Sequence, residues 1–213
     1  MENKHDTEKA SGYDQIAREV FLPIFPMIAK EALGFYGKET GRCLDIGCGG
    51  GLFGYFVALL SDMQVTFLDI SPDALEVCRQ RGLDWGLDDR CEYVLSDVHD
   101  MKDIPDNSYD LIVSRGSLPF WGEGEYLVGA FREICRVLAP GGAAVIGGSL
   151  GTPRMSAAIT AKMKAKNPEW MPPETRDGDC VSGYEKRQQF LNEAGIDCLA
   201  EITGRGHWLV LRK

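Results

Sequence analysis

CLDIGCGGGLFG, residues 43–54, sets five glycines among twelve positions, with an apolar run on either side. Backbone without side chains turns through left-handed conformations and lets a partner approach the main chain closely. RCLDI (42–46) ahead of it reads as a short strand, and GLFGYFVALLS (51–61) behind it as a helix. The stretch is therefore a strand, a tight glycine turn and a helix N-terminus whose N–H groups can face a ligand.

The same alternation continues along the chain. QVTFLDI (64–70), CEYVLSD (91–97), YDLIVSRG (109–116) and GAAVIGG (142–148) read as strands, and SPDALEVCRQRG (71–82) and EYLVGAFREICRVL (125–138) as helices. Ser71 is suited to cap its helix with Pro72 in the first turn and Asp73 at the positive end of the dipole, and Gly82 to stop it. Ala139-Pro140-Gly141-Gly142 predicts a stop and a turn into the fifth strand. YEKRQQFLNEAG (184–195) predicts a helix ending at Gly195, and IDCLAEITGRGHWLVLRK (196–213) two strands joined by Thr203-Gly204-Arg205, hence antiparallel. The fold class is α/β: seven strands, mostly parallel with an antiparallel last strand, and helices on both faces.

Outside this rhythm, YDQIAREVFLPIFPMIAKEALGFYG (13–37) has helical spacing at Ile16, Val20, Ile24, Ile28 and Leu33, with Pro23 and Pro26 dividing it into two short helices. Residues 1–40 thus form an N-terminal helical cap, and residues 151–182, a helical piece followed by a Pro, Asp and Gly-rich stretch, read as an insertion forming a lid. No repeat or linker divides residues 1–213, so the expectation is one domain.

Composition excludes several classes of function. The chain has 213 residues, 44% hydrophobic and 26% charged, and no apolar run approaches the roughly 20 residues of a membrane span. The polar leader MENKHDTEKASGYDQ has neither a secretory nor an import pattern, which predicts a cytoplasmic protein. A net charge of −9 opposes binding to nucleic acid. The seven cysteines are scattered without a CxxC pair, so they read as buried thiols rather than metal ligands. His5, His99 and His207 read as structural or solvent residues, and Lys162, Lys164 and Lys166 as a solvated face. Asp106, Asn107, Ser108 and Asp110 read as turn chemistry.

Open α/β sheets bind ligands at the carboxyl ends of their strands. Gly49, Gly51 and Gly54 formally satisfy the GxGxxG pattern of dinucleotide enzymes, a weak signal alone. Asp45 discriminates, because an acid two residues before Gly47 repels a pyrophosphate and attracts an ammonium group. Asp69 ends the second strand, 24 residues later, where an acid accepts hydrogen bonds from ribose hydroxyls, and Ile70 can pack on a flat base. Asp97, with Val98, ends the third strand and can accept from an exocyclic amine. Each acid singly could merely cap a turn; together they describe a ligand with ammonium, ribose and adenine amine, namely S-adenosylmethionine. A nicotinamide-dependent oxidoreductase and a non-catalytic cofactor-binding module are the alternatives.

On these residues the chain resembles the class I S-adenosylmethionine-dependent methyltransferases. CLDIGCGGG is similar to the family's first motif, FLDIS to its ribose acid, LSDVHDM to its adenine-side segment, and IPDNSYDLIVSRGSLPFW and REICRVLAPGG to its fourth and fifth strand segments. The resemblance implies a Rossmann-like fold, a small-molecule acceptor, and a cofactor held by Tyr13, Asp45, Gly47, Cys48, Gly49, Gly51, Asp69, Ile70, Asp97, Val98 and Ser114. It implies that Arg115, Phe120 and Trp121 line the acceptor site, without the histidine pair or Asn-Pro-Pro-aromatic run of some relatives. A general base is optional; Tyr13 and Glu123 are candidates, while Arg115 suits an anionic acceptor. No metal is expected, and the oligomeric state stays open.

Overall fold

The computed structural model describes residues 12–117, 124–172, 180–203 and 206–213, so Phe120, Trp121, Glu123, Gly204 and Arg205 lie outside the described residues. The elements of the sheet layer are β1 (Thr40–Ile46), α2 (Leu52–Leu60), β2 (Asp62–Asp69), α3 (Pro72–Trp85), β3 (Cys91–Leu95), β4 (Tyr109–Arg115), α4 (Gly124–Val137) and β5 (Leu138–Gly148). Before them comes α1 (Phe25–Tyr36), and after them α5 (Pro153–Lys166), α6 (Cys180–Glu193), β6 (Leu199–Ile202) and β7 (His207–Arg212). The strand order is β3-β2-β1-β4-β5-β7-β6, with only β7 antiparallel to its neighbours. This is the Rossmann-like α/β sheet read from the alternation of strands and helices.

Period-two alternation separates two cores. Cys43, Val65, Phe67, Leu111, Val113, Val145 and Trp208 face α1 and α2, while Leu44, Ile46, Leu68, Ile112, Ala144 and Ile146 face α4 and α6. β1 pairs with β2 on one side and β4 on the other, so the connections leave β1 and β4 in opposite directions and open a crevice above them.

The N-terminal segment winds continuously but changes type. Residues 12–16 are helical, Ala17–Phe21 form a π-helical turn, Leu22–Ile24 a 3-10 turn, and α1 follows. Pro23 and Pro26 each sit in the first turn of a new winding, where a missing N–H costs nothing. Instead of two separated helices, the chain has one irregular helical cap that ends at left-handed Gly37.

Two expectations about helix ends need correction. Gly82 does not stop α3, which runs to Trp85 and is capped by left-handed Gly86; Gly82 instead makes room for the hydroxyls of Tyr93 and Tyr55. α4 passes directly into β5 at Leu138. Tyr109 pairs with Leu138 and Leu111 with Ala143, so Ala139–Gly142 bulge from the ladder rather than precede it. Gly141 N–H there donates to the carbonyl of Lys213, tying the bulge to the C-terminus. Ser71 does cap α3, accepting from Ala74 N–H at 3.3 Å.

Candidate functional site

A cavity of about 500 Å³ opens in the crevice above β1, β2 and β4, between the glycine turn and the N-terminal cap. Its size falls in the usual range of small-molecule sites, roughly 300–1,000 Å³. The turn is built on Gly47, Gly49 and Gly51, each at positive φ (64°, 53° and 78°), a conformation that penalises any Cβ. Most of its N–H groups are spent internally. Gly47 and Cys48 donate to the carbonyl of Leu68, and Gly51 donates to that of Cys48. Gly49 N–H donates to Asp69 at 2.8 Å. The turn therefore serves chiefly to place the end of β2 beside it. Leu52 and Phe53, which open α2 without an earlier turn for their N–H groups to bond, line the cavity.

The acids differ in environment. Asp45 is 2% exposed, accepts one hydrogen bond from Gly54 N–H at 2.9 Å, and faces no cation among the described residues. Burial pushes its carboxyl up to about 7, with the Gly54 bond opposing and Asp69 adding to the rise. Asp69 sits at the rim, where Gly49 N–H and Ser71 N–H (2.9 Å) each hold one oxygen and leave a second lone pair on both. Ile70 beside it is 66% exposed, a large apolar face open at the cavity. Asp97 stands apart: it is not among the lining residues and accepts from both N–H and Nδ1 of His99, at 2.9 and 2.7 Å. The backbone bond from His99 chiefly holds its carboxyl below the ordinary range. His99 in turn stacks on Tyr126 and bonds its carbonyl, a supporting role. Val98 is packed in the second core beside Leu68.

Over the other side lies a latch that joins residues far apart in the chain. Asp14, 7% exposed, accepts from Arg81 Nη2 at 2.6 Å and from Arg18 Nε at 2.8 Å, while Arg81 Nη1 also donates to the carbonyl of Gly50. A Cβ at Gly50 would collide with both partners, so that glycine is required by the latch rather than by its own φ. The latch binds the N-terminal cap to α3 and to the turn, and sets Tyr13 and Asp14 in the cavity wall. Tyr13 is 77% exposed and reaches outward from that wall. Glu19 adds a second tether, accepting from Lys166 Nζ at 2.7 Å, and its carbonyl accepts from Lys162, so two of the three lysines hold the cap rather than merely face solvent. The Asp14–Arg18 spacing is helical and legible; Arg81 is 67 residues away and was not.

The end of β4 divides its side chains between wall and interior. Ser114 is sealed, its Oγ donating to the carbonyl of Ile46 at 2.8 Å and paired with Ser117 Oγ. Ser117, not Ser114, reaches the cavity, and it packs over Gly47. Arg115 lines the cavity with its guanidinium between Phe21 and Phe25, 4.9 and 5.5 Å from their ring centres. Its Nη2 donates to the carbonyl of Ser149 at 3.1 Å, its Nε is buried without a partner, and burial pulls it down to about 10. Gly47, Cys48 and Gly49 are in the wall, and Gly51 lies behind it against Cys78 and Tyr55. No described residue of 151–172 lines the cavity; α5 packs on the first core through Ile159 and Met155. Among the described residues no group of histidines, cysteines and acids is arranged to hold a metal, and no helix is long and apolar enough to cross a membrane.

The chain has relatives of known family. A crystal structure from Methanococcus maripaludis, assigned to the S-adenosyl-L-methionine-dependent methyltransferases, is 36% identical, matches 100% of this chain and 95% of that one, and superposes with a TM-score of 0.89. The chain belongs to the S-adenosylmethionine-dependent methyltransferases. The model of the Methyltransferase domain matches residues 44–146 of the chain, from β1 into β5. The 27-O-demethylrifamycin SV methyltransferase of Amycolatopsis mediterranei is 32% identical over 116 residues, covering 54% of this chain and 41% of the relative. The ubiquinone biosynthesis O-methyltransferase of Xanthomonas oryzae is 32% identical over 101 residues, covering 47% and 40%. The chain thus spans about two fifths of the length of these curated relatives.

Proposed function

We propose that this methyltransferase moves the methyl group of S-adenosylmethionine to a small-molecule acceptor in the cavity above β1 and β4. The observation that carries the reading is the pairing of acids in one wall: Asp45, buried without a cation among the described residues, and Asp69, anchored at the rim with lone pairs to spare. A dinucleotide would bring a pyrophosphate to Asp45; a sulfonium amino acid brings an ammonium group. Asp45 would hold that ammonium, Asp69 the ribose hydroxyls, and Ile70 the face of the adenine. Gly47, Cys48 and Gly49 would run along the methionine chain and Tyr13 would close from the cap, while Asp97 and Val98, which do not line the cavity, are given no contact with the cofactor. Ser114 would act only through Ser117 and the floor.

The bound cofactor supplies a methyl already activated on sulfur: the acceptor–carbon bond forms as the carbon–sulfur bond breaks, and the electron pair returns to sulfur. The protein's part is to hold the acceptor in line and exclude water, an effect worth on the order of 7–11 kcal/mol. A base is then optional, and the acceptor's proton can leave to water. The latched cap, which carries Phe21 and Phe25, supplies the cover. The acidic balance of −9 supports a small molecule over a nucleic acid, and a cytoplasmic setting fits the reduced cysteines.

Calorimetry with S-adenosylhomocysteine tests the reading. Binding is expected in the wild type, and Asp69→Ala is expected to weaken it by about tenfold or more, from the loss of hydrogen bonds to a charged acceptor worth roughly 1.5–3 kcal/mol. Binding of NADH without heat from S-adenosylhomocysteine would overturn the reading in favour of a dehydrogenase. Tight cofactor binding with no turnover on any metabolite would favour a non-catalytic module.

A further inference from the structure

Among the described residues Arg115 is a cation without a counter-charge, in a cavity that carries three acids. Asp14, Asp45 and Asp69 line the same cavity, and Arg115 is the one cation among the described lining residues. It is half-buried, and among the described residues its sole hydrogen bond is to the carbonyl of Ser149. Its Nε is buried with no partner among the described residues. Phe21 and Phe25 offer their faces to the guanidinium, which fixes its plane but satisfies none of its N–H groups. Buried guanidinium groups are normally paired, because an uncompensated charge in the interior costs several kcal/mol. A fixed planar fork with idle donors is the geometry that receives a carboxylate.

We propose that Arg115 is the receptor for a carboxylate carried by the methyl acceptor, so that the acceptor is a small carboxylic acid. The inference rests on the methyl-transfer reading above and narrows it. A single negative charge balances Arg115, whereas a doubly charged phosphate would leave excess charge beside Asp45 and Asp69. The cofactor's own carboxylate would have another seat, the positive end of α2, where Leu52 and Phe53 line the cavity. Arg115 is on β4, and its stacking partners belong to the cap.

A metabolite extract, split on an anion exchanger into retained and unretained pools and given methyl-labelled S-adenosylmethionine, tests this. Wild-type protein is expected to label the retained pool, and prior phosphatase treatment of that pool is expected to leave the labelling intact. Arg115→Gln should reduce it by at least about tenfold, and Arg115→Lys, which keeps the charge on an intact fold, should retain a measurable part. Label only in the unretained pool, or in neither, overturns the inference, as does equal labelling by Arg115→Gln. Loss of label after phosphatase treatment overturns it in favour of a phosphate. Calorimetry with S-adenosylhomocysteine and 5′-methylthioadenosine, which lacks the amino-acid end, completes the test. If Arg115→Gln weakens only the former, Arg115 holds the cofactor's carboxylate and the acceptor assignment fails. If the wild type binds neither, the methyl-transfer reading itself fails, an outcome distinct from the others.

Discussion

Replacing Asp45 with asparagine separates the cost of the buried acid from its use. Asp45 titrates at about 7 in the folded protein against an ordinary 3.8 in the unfolded chain, because burial penalises its charge and a single N–H, from Gly54, supports it. Between those two values the native state holds a proton that the unfolded chain has released, so stability falls as pH rises through the window and is fully reduced above it. At about 1.4 kcal/mol for each tenfold in proton affinity, the full penalty is about 4 kcal/mol. Asparagine keeps the shape, keeps an acceptor for Gly54 N–H, and does not titrate. Asp45→Asn is therefore expected to be more stable than wild type to urea, by a margin that grows by about 2–3 kcal/mol between about pH 5 and pH 8. The gain is bought with function: the variant should bind S-adenosylhomocysteine more weakly, and its affinity should be flat with pH, whereas wild-type affinity should fall as pH drops below about 7. A stability difference independent of pH, or equal pH profiles of ligand binding, would refute the assignment of Asp45 as a proton-bearing acid awaiting a cation.

Two further perturbations address the frame around the cavity. Arg81→Ala leaves Asp14 buried with one remaining cation and strips the Gly50 carbonyl of a donor; a loss of roughly 3–5 kcal/mol in urea unfolding is expected, together with weaker S-adenosylhomocysteine binding as the cap loosens, and an unchanged midpoint would show the latch to be dispensable. Gly82→Ala should destabilise by about 1–3 kcal/mol, the reverse of the usual gain in a helix interior, because its Cβ would press on the hydroxyls of Tyr55 (2.6 Å) and Tyr93. A raised thermal midpoint would mean that the two tyrosines yield without cost.

Much of the frame was legible because it is set by local rules. The alternation of short apolar runs and amphipathic helices gave the α/β class and the antiparallel hairpin, since strand and helix periods differ over a few residues. Ser71, Pro72 and the positive-φ glycines were readable because caps and turns are decided within a few positions of chain. Asp45 and Asp69 were readable as a pair because strand ends next to a glycine turn share one rim in any sheet of this type. Gly82 misled: an isolated glycine late in a helix reads as a stop, and only the neighbouring strand and helix reveal that it is there to admit two tyrosine hydroxyls.

What the amino-acid order determined by itself was the sequence of elements, the turn and the acids at the strand ends, because these follow from periodicity and backbone conformation within short windows. The fold alone decided which side chains share the cavity. Asp14 meets Arg81 across 67 residues, Arg115 lies between rings 90 and more positions earlier, and the pleat turns Ser114 inward while Ser117 faces the cavity. Contacts of that span depend on how the cap docks on the sheet, a balance of burial and charge pairing that no local pattern records.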